Sequence, residues 1–395
     1  MKVLTLNVGS SSVKFQVIDT EKKRALLKGL VDAIGLDNSN ISFSISGDKF
    51  SSFNIKTSVK NHREALKYAL NIVLDSGFSK SEIKLVAHRV VHGGRFTTPC
   101  FINKRVIERI RKLSELAPLH NPNNLIGILE AKKFFPKAKH VAVFDTAFHQ
   151  TMPDRAFIYG LPFEFYKKEN IRRYGFHGIS HKFVSEQAVK VLGRRNFKLI
   201  TCHIGNGISV TAVQVKNGRP VSLDTSMGFT PLEGPIMGTR SGSLDPGILI
   251  HLLDKGYSKN KLNDLLNEES GLKGISGLSS DMRVLLENYS SNRRAKLAVD
   301  VLTYQLAKTI ASYTVALNGF DVLLFTAGIG SGSWFIRSEI CKKLSHFGVK
   351  LDARRNKKNS LIISSDKSKV KVLVLPTDEE LEMALEAEKL FNSKS

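Results

Sequence analysis

The chain has 395 residues, of which 42% are hydrophobic and 24% are charged, a composition typical of globular proteins. This excludes a mainly disordered or fibrous chain, and the length predicts two domains. Lys and Arg number 59 against 36 Asp and Glu, for a formal net charge of +23. The basic residues occur in short, scattered groups, which favours a solvated basic surface and predicts no specific nucleic-acid partner.

Cysteine usage and hydropathy predict where the protein works. Cys100, Cys202 and Cys341 are widely spaced, which suits neither a disulfide framework nor a cysteine-based metal site. The apolar residues 3–6 are interrupted by Asn7, so no signal peptide is predicted. No apolar run approaches the roughly 18 residues of a membrane-spanning helix. We therefore expect a cytoplasmic protein without a membrane partner.

The first elements in chain order are strands. Residues 3–6 and 13–18 are strand-like and are joined by a polar turn at residues 7–12, NVGSSS. The pattern predicts a hairpin whose backbone can cradle an anion. Residues 34–60, with alternating apolar positions among Asn, Ser and Gly, predict a peripheral hairpin. Apolar residues at three- and four-residue spacing predict a helix over 106–116.

A second hairpin of the same design is predicted at residues 199–213, where the turn Gly205-Asn206-Gly207 separates two strands. A third glycine-containing loop, residues 327–330, follows the buried-type strand 323–326 and precedes the helix-compatible stretch 335–344. Strands alternate with helices throughout. We therefore predict an α/β protein built from two halves of similar design.

The duplicated loops divide the chain into an N-terminal domain, 1–150, and a C-terminal domain with the nucleotide site, 151–380. The final helix, 381–395, is expected to pack back on the first domain. Thr377 and Glu380 have the spacing of a capping box at the start of that helix. An acidic residue in its first turn could simply complement the helix dipole.

Two segments each place one arginine among small residues: residues 88–94 contain Arg89, and residues 237–242 contain Arg240. A guanidinium can bind phosphate or carboxylate oxygens with two parallel hydrogen bonds. Phosphoryl transfer to a carboxylate needs such groups, together with a divalent metal, to cancel the repulsion between two anions. Taken singly, an arginine beside glycine is more often a turn or salt-bridge residue.

Two histidine pairs, His88/His92 and His177/His181, have the i, i+4 spacing of zinc ligands. A metallohydrolase is therefore an alternative hypothesis. Neither pair contains the glutamate of a zinc-protease helix. Adjacent glycines, including Gly178, argue against the regular helix that would align the two rings.

The motifs, taken in order, resemble those of the acetate kinase family over nearly the full length of the chain. The matching segments are residues 7–14, 88–94, 144–149, 174–181, 203–207, 226–234, 238–242 and 376–380. The resemblance implies the duplicated, ribonuclease H-like fold of actin and sugar kinases, with nucleotide in an interdomain cleft. It also implies an enzyme of acetyl-CoA biosynthesis that reversibly converts ATP and acetate to ADP and acetyl phosphate by direct in-line transfer. Mg²⁺, or Mn²⁺ in its place, and a homodimer are implied as well.

The resemblance also implies roles for individual residues. Catalytic roles are implied for Arg89, His120, Asp145, His177 and Arg240, and metal binding for Asn7, Asp145 and Glu379. The implied acetate site comprises Arg89, Val91, Leu119, Phe176 and Pro231. The implied ATP contacts are Lys14, His203, Gly205, Asn206, Gly207, Asp281, Met282, Arg283, Gly328, Ile329 and Gly330.

The chain departs from the family pattern at two places. Ser331-Gly332 stands where the family usually has Glu-Asn, and Ser243 replaces an acidic residue. A pyrophosphate donor and a catalytically inactive nucleotide sensor are therefore alternatives. Propionate and other short-chain carboxylates are also alternatives, because an apolar pocket separates neighbours differing by one methylene by only about 1–3 kcal/mol. The net charge keeps a basic nucleic-acid-binding protein as an alternative of another class.

Overall fold

The structure is a computed structural model that describes residues 1–46, 51–117 and 120–393. The chain forms two compact units. Unit 1 comprises Met1–Gln150 and Asp378–Ser395, and unit 2 comprises Thr151–Thr377. None of the helices in the described ranges is both long and apolar enough to cross a membrane.

Unit 1 is built on an eight-stranded mixed sheet. Its strands are β1 (Lys2–Val8), β2 (Val13–Asp19), β3 (Arg24–Asp32), β4 (Asn40–Ile45), β5 (Ser51–Lys56), β6 (Leu85–Val90), β7 (Cys100–Phe101) and β8 (Lys139–Phe144). They lie in the order β5-β4-β3-β2-β1-β6-β8-β7. β1 and β2 are antiparallel with Val8 opposite Val13, which confirms the predicted opening hairpin. β1, β6 and β8 are parallel, so their carboxyl ends meet at one edge of the sheet.

Unit 2 is built on a five-stranded sheet. Its strands are β9 (Phe197–Ile204), β10 (Ile208–Lys216), β11 (Arg219–Thr225), β12 (Val322–Thr326) and β13 (Lys371–Val374), in the order β11-β10-β9-β12-β13. β9 and β10 form the predicted second hairpin, with Ile204 opposite Ile208, and β9, β12 and β13 are parallel. Each sheet therefore contains a hairpin whose first strand pairs in parallel with a later strand. This confirms the predicted α/β class and the two halves of similar design.

Helices fill the connections between the strands. They are α1 (His62–Asp75), α2 (Lys104–Lys112), α3 (Asn121–Phe134), α4 (Asp154–Phe157), α5 (Phe163–Glu169), α6 (Gly178–Leu192), α7 (Pro246–Asp254), α8 (Lys259–Asp264), α9 (Gly271–Ser276), α10 (Met282–Glu287), α11 (Arg293–Leu317), α12 (Ala327–Gly332), α13 (Trp334–Lys343), α14 (Ala353–Lys357) and α15 (Glu379–Asn392). A π-helical turn, Leu265–Glu269, lies between α8 and α9. Short 3₁₀ turns occupy Leu113–Glu115, Ala147–Thr151 and Ser345–Phe347.

The apolar pattern explains how unit 1 packs. α1 buries Ala65, Leu66 and Ala69 in the same hydrophobic cluster as Phe15 of β2, and α3 adds Ala131. Ala384 and Met383 of α15 are also buried, and this helix packs on β1, β6 and β8. The C-terminal helix thus brings its first residue to the parallel part of the sheet.

Two local predictions are wrong. Residues 327–332 form helix α12 instead of a loop. The Ser331 hydroxyl donates to the carbonyl of Ala327, and Arg337 Nη1 donates to the carbonyls of Gly330 and Ser331, which together hold the short helix. Helix α15 is capped by Asp378, whose carboxylate accepts from the N–H of Leu381, and not by Thr377. Aspartate is at least as good a cap as threonine. The prediction that Gly178 argues against a regular helix carrying both His177 and His181 is confirmed, because α6 begins at Gly178 and His177 lies before it with a left-handed φ of 56°.

Candidate active site

A charged cluster lies where the parallel strands of unit 1 end. Asn7 is on β1, Arg89 is on β6, Asp145 follows β8, and Glu379 is the first residue of α15. Arg89 donates to both carboxylate oxygens of Asp145, from Nε at 3.1 Å and from Nη2 at 2.5 Å, and its Nη1 donates to Asn7 Oδ1 at 3.1 Å. Its Nε lies 3.9 Å from Glu379 Oε2. We call these four residues the carboxylate cluster.

The charges of the carboxylate cluster do not balance. Asp145 is buried and Glu379 is half-buried, and one guanidinium faces both. Burial raises the pKa of Glu379 to about 7; Arg89 lowers it, whereas Asp145 and Glu380 raise it further. Burial alone would lower the pKa of Arg89, but the carboxylates of Asp145 and Glu379 raise it above its ordinary value. The cluster holds an excess of negative charge that a cation would relieve.

The donor set of the carboxylate cluster suits Mg²⁺. Mg²⁺ typically uses one or two protein carboxylates and completes its shell with waters and substrate phosphates. Asp145 and Glu379 supply two carboxylates, and Asn7 supplies an amide oxygen beside them. Among the described residues, no three His, Cys, Asp or Glu side chains form a group that could hold a metal by themselves. The residues therefore fit a metal ion that takes only part of its ligand shell from the protein.

A second cluster lies in unit 2, around the β9–β10 turn. The rings of His177 and His203 stack with centroids 4.1 Å apart. A Cβ atom built on Gly207 would lie 3.2 Å from His177 Nε2 and 3.7 Å from Arg240 Nη1, so three predicted site residues converge on this turn. His177 has the left-handed φ of 56° immediately before α6. We call His177, His203 and Arg240 the histidine–arginine cluster.

Hydrogen bonds hold the histidines of unit 2 in a chain. Thr201 Oγ1 lies 2.7 Å from His181 Nδ1, and His181 Nε2 lies 2.7 Å from Ser209 Oγ. Ser209 Oγ lies 2.8 Å from His177 Nδ1. His177 and His181 therefore share a serine hydroxyl. The other i, i+4 pair has no helix, because His88 lies on β6 and bonds His140 Nδ1 at 3.0 Å.

Arg240 is half-buried and faces backbone and sulfur atoms. Its Nη1 donates to the carbonyl of Pro231 at 3.3 Å and lies 3.8 Å from Met237 Sδ. Within residues 1–46, 51–117 and 120–393, no carboxylate pairs with it. Burial lowers the pKa of Arg240 below its ordinary value. A half-buried guanidinium without a carboxylate is suited to an anionic ligand.

Several other residues predicted for the catalytic, acetate and ATP sites have varied surroundings. Val91 is buried, and its N–H donates to Asn124 Oδ1 at 3.0 Å. His120 immediately precedes α3, and Phe176 is buried in unit 2. Leu119 lies outside the described residues. Lys14 is exposed on β2 and lines a cavity of about 530 Å³.

The predicted ATP contacts in unit 2 occupy three segments. Asn206 is exposed on the β9–β10 turn, where the N–H of Gly205 donates to the carbonyl of Gly207 at 3.1 Å. The segment Asp281, Met282 and Arg283 begins α10, with Asp281 paired to Arg283 at 2.7 Å. The segment Gly328, Ile329 and Gly330 lies in α12, where Gly328 is exposed and a Cβ atom there would meet nothing within 4 Å.

Comparisons with known proteins identify the family of this chain. Residues 2–385 match the Acetokinase family. The chain belongs to the acetokinase family. The acetate kinase of Thermoanaerobacterium thermosaccharolyticum is 47% identical over 405 residues, covering 100% of both chains. The acetate kinase of Thermoanaerobacter pseudethanolicus is 48% identical over 404 residues, covering 99% of each.

Solved structures of acetokinases share the whole fold. A propionate kinase from Francisella tularensis has a TM-score of 0.91 at 39% identity, covering 98% of this chain and 99% of its own. The acetate kinase of Porphyromonas gingivalis has a TM-score of 0.89 at 38% identity, covering 99% of both chains. Membership establishes a kinase and, through the family, a nucleotide-binding enzyme.

One residue beside the predicted nucleotide segment was missed by sequence analysis. Arg337 of α13 is completely buried, and its Nη1 donates to the carbonyls of Gly330 at 2.9 Å and Ser331 at 2.8 Å. Its Nε donates to Asn356 Oδ1 at 2.8 Å. Burial lowers the pKa of Arg337 to about 10. The available signal in the sequence was an arginine that directly follows the apolar residues Trp334, Phe335 and Ile336.

Proposed function

We propose that this acetokinase reversibly transfers the γ-phosphoryl group of ATP to acetate, forming acetyl phosphate and ADP. The observation that supports this most is Arg240, a half-buried guanidinium that faces a carbonyl and a sulfur atom beside His177 and the Gly205–Gly207 turn. Phosphoryl transfer concentrates negative charge on three oxygens, and a preorganised guanidinium stabilises that charge. The near-complete alignment with acetate kinases gives the acceptor.

The hydrogen-bond chain of unit 2 allows two proton positions on His177, because Thr201 Oγ1 can donate to His181 Nδ1 or to the carbonyl of Thr211 at 3.4 Å. If Thr201 donates to His181 Nδ1, then His181 Nε2–H donates to Ser209 and the Ser209 hydroxyl donates to His177 Nδ1. His177 then carries its proton on Nε2, the atom nearest the Gly207 turn. In the proposed mechanism, His177 Nε2–H and Arg240 donate to oxygens of the transferring phosphoryl group. No covalent enzyme intermediate is needed, since orientation and charge neutralisation lower the barrier.

The carboxylate cluster is proposed to hold the metal. Asp145 and Glu379, with Asn7, would bind Mg²⁺, or Mn²⁺ in its place. When bound, the ion supplies neutralisation of phosphate charge. Arg89 holds Asp145 through both carboxylate oxygens and favours the ionised form of Glu379. Arg89 therefore orients the metal ligands and is also proposed to attract the carboxylate of the acceptor.

Acceptor and donor choice depend on the remaining predicted residues. Val91, Phe176 and Pro231 are proposed to contact the methyl end of acetate. A propionate kinase is among the similar solved structures, so propionate is the first alternative acceptor. Ser331 and Gly332 end α12 without acidic or amide side chains, so pyrophosphate is the alternative donor to test.

We also propose a homodimer. Helix α7 has no buried residue and exposes Ile248, Ile250 and Leu253. Helix α11 exposes Leu297 and Val315. Several large apolar side chains exposed close together, as on α7, are typical of protein interfaces. Light scattering after size-exclusion chromatography should give twice the mass of 43.8 kDa; the monomer mass would contradict the proposal.

We propose that the enzyme works in the cytoplasm. Cys202 and Cys341 are buried, and burial raises the pKa of both thiols, which keeps them protonated and unreactive. Such thiols suit a reducing compartment. Fractionation of the native cells should recover the activity with cytoplasmic marker enzymes and not with membranes.

The direct test is product formation. Purified protein, ATP, Mg²⁺ and acetate should give acetyl phosphate, trapped as the hydroxamate. Propionate, butyrate and pyrophosphate should be tested in the same matrix of donors and acceptors. The proposal predicts that ATP with acetate has the highest kcat/KM. An absence of product with every acceptor would overturn it.

A further inference from the structure

The loop that carries Arg240 is held by a segment to which neither the sequence motifs nor the family resemblance assigned a role. Residues 237–241, which we call the Arg240 loop, lie against the break between the π-helical turn Leu265–Glu269 and α9. Helix ends at such a break have backbone groups without partners in their own helix. The Arg240 loop supplies partners for both helix ends.

On one side, N–H groups from the start of α9 donate to three consecutive carbonyls of the loop. These bonds are Leu272 N to Met237 O at 2.8 Å, Lys273 N to Gly238 O at 3.0 Å, and Ser270 N to Thr239 O at 3.0 Å. Each is of normal length for an N–H···O bond. The loop backbone is therefore fixed along its length by the first turn of α9.

On the other side, carbonyls of the π-helical turn accept from the loop. The N–H of Ser241 donates to Leu266 O at 2.9 Å, and Thr239 Oγ1 donates to Asn267 O at 2.8 Å. A π-helical turn departs from the regular i to i−4 ladder and is frequent at functional sites. Arg240 is thus bracketed by residues whose backbone or side chain is bonded to this turn.

Gly271 joins the two sides, and its surroundings leave no space for a side chain. Its φ is 62°, and a Cβ atom built there would lie 2.2 Å from Met237 O and 2.7 Å from Arg240 O. Both neighbours are backbone atoms that are themselves hydrogen-bonded. A side chain at this position would push the Arg240 loop away from α9.

We propose that residues 265–273, which we call the Arg240 clamp, are a positioning element for phosphoryl transfer, with Gly271 as its critical residue. This rests on the proposed role of Arg240. Among the described residues, the guanidinium donates only to Pro231 O and Met237 Sδ, over long distances, so its direction is set mainly by its backbone. A misplacement of about 1 Å can reduce the rate roughly 100-fold.

The test compares Gly271→Ala with Gly256→Ala. Gly256 also has a positive φ, 84°, but a Cβ atom there would meet nothing within 4 Å. Both variants therefore carry the backbone strain, and only one carries the collision. We expect Gly271→Ala to lower kcat at least about tenfold with the KM for ATP changed less than about threefold, whereas Gly256→Ala stays near wild type. Equal kcat values for the two variants would overturn the proposal.

A double variant separates positioning from general damage. If Gly271 acts through Arg240, adding Gly271→Ala to Arg240→Ala should cause no further loss of kcat. A further loss equal to that of the single variant would contradict the proposal. If Gly271→Ala does not fold, the variant Thr239→Val provides the test, because it removes the hydrogen bond to Asn267 O. We expect Thr239→Val to lower kcat and Thr239→Ser, which keeps the hydroxyl, to restore it. Unchanged kcat in Thr239→Val would also overturn the proposal. A wild type without kinase activity would instead refute the proposed function.

Discussion

Arg89 and Arg240 both lie among small residues in the sequence, but their charged neighbours in the structure differ. Arg89 pairs with Asp145 through two hydrogen bonds and lies 3.9 Å from Glu379. Arg240, in the part of the chain that the structure describes, has carbonyl and sulfur neighbours and no carboxylate. The first cluster has surplus negative charge and the second has surplus positive charge. The difference supports our proposal that the carboxylate cluster holds a cation and the histidine–arginine cluster holds an anion.

The largest effect should come from removing the unpaired guanidinium. We expect Arg240→Ala to lower kcat about 1,000-fold, because an arginine that stabilises transition-state charge is worth about 10³ or more. Circular dichroism should match the wild type. Arg240→Lys keeps the charge without the planar fork and should recover only part of the loss. Loss of folded structure in Arg240→Ala would show that the residue is structural.

A smaller and more selective effect should follow from Glu379→Gln. This variant removes one negative charge from the carboxylate cluster, so the Mg²⁺ concentration for half-maximal activity should rise about tenfold. Glu380→Gln makes the same change one residue later, where no ion pair to Arg89 occurs among the described residues. A shift of equal size in both variants would indicate long-range electrostatics instead of metal binding.

Arg337 extends the comparison of Arg89 with Arg240, because this third arginine has no carboxylate partner among the described residues and we propose no ligand for it. Arg337 is buried and makes five hydrogen bonds to carbonyl and amide oxygens. Lysine cannot reproduce this planar set. We expect Arg337→Lys to raise the KM for ATP about fivefold, since one lost hydrogen bond is worth about 1 kcal/mol, with kcat changed less. An unchanged KM would show that α12 is held without Arg337.

The smallest effect concerns stability and pH. Burial lowers the pKa of His140 to about 4, and its bonded neighbour His88 is shifted downward as well, with Lys132 nearby adding to both shifts. The unfolded chain therefore binds more protons than the folded chain between the folded pKa of about 4 and the ordinary value of about 6.5. This contribution to stability is complete above about pH 6.5 and is lost as the pH falls toward 4.

The measurement is the melting temperature at about pH 7 and about pH 5. We expect the wild type to lose about 1–2 °C more than His140→Gln over that interval, equivalent to roughly 1 kcal/mol for a chain of this length. His346→Gln, which changes an exposed histidine, should lose as much as the wild type. Equal losses in all three proteins would show that the buried pair His88 and His140 does not cause the pH dependence of stability.

Sequence analysis predicted the parts of the molecule that local pattern determines. Both hairpins were predicted because strand-like runs flank short polar turns, and Asp145 was placed correctly at the end of a strand. The failures depend on individual side-chain hydrogen bonds that the pattern of residue types does not determine. Helix α12 is held partly by Arg337, and Asp378 took the cap position predicted for Thr377.

The candidate site also contains residues that the sequence identified and residues that it did not. Motifs identified Arg89 and Arg240, and the family resemblance added Glu379, although these roles remain predictions until variants are measured. The Arg240 clamp was not predicted, because Gly271 in sequence is one glycine among 29. Its importance follows only from the backbone atoms of residues 237 and 240, which approach it through the fold.

The position of the bound cation tests most directly whether the carboxylate cluster, and not the histidine–arginine cluster, binds the metal. Crystals of the wild type grown with nucleotide, acetate and Mn²⁺ in place of Mg²⁺ would show the ion by its anomalous scattering. If the carboxylate cluster binds the cation, the peak lies beside the carboxylates of Asp145 and Glu379. A peak beside Arg240 and His177, with the carboxylate cluster empty, would contradict this proposal.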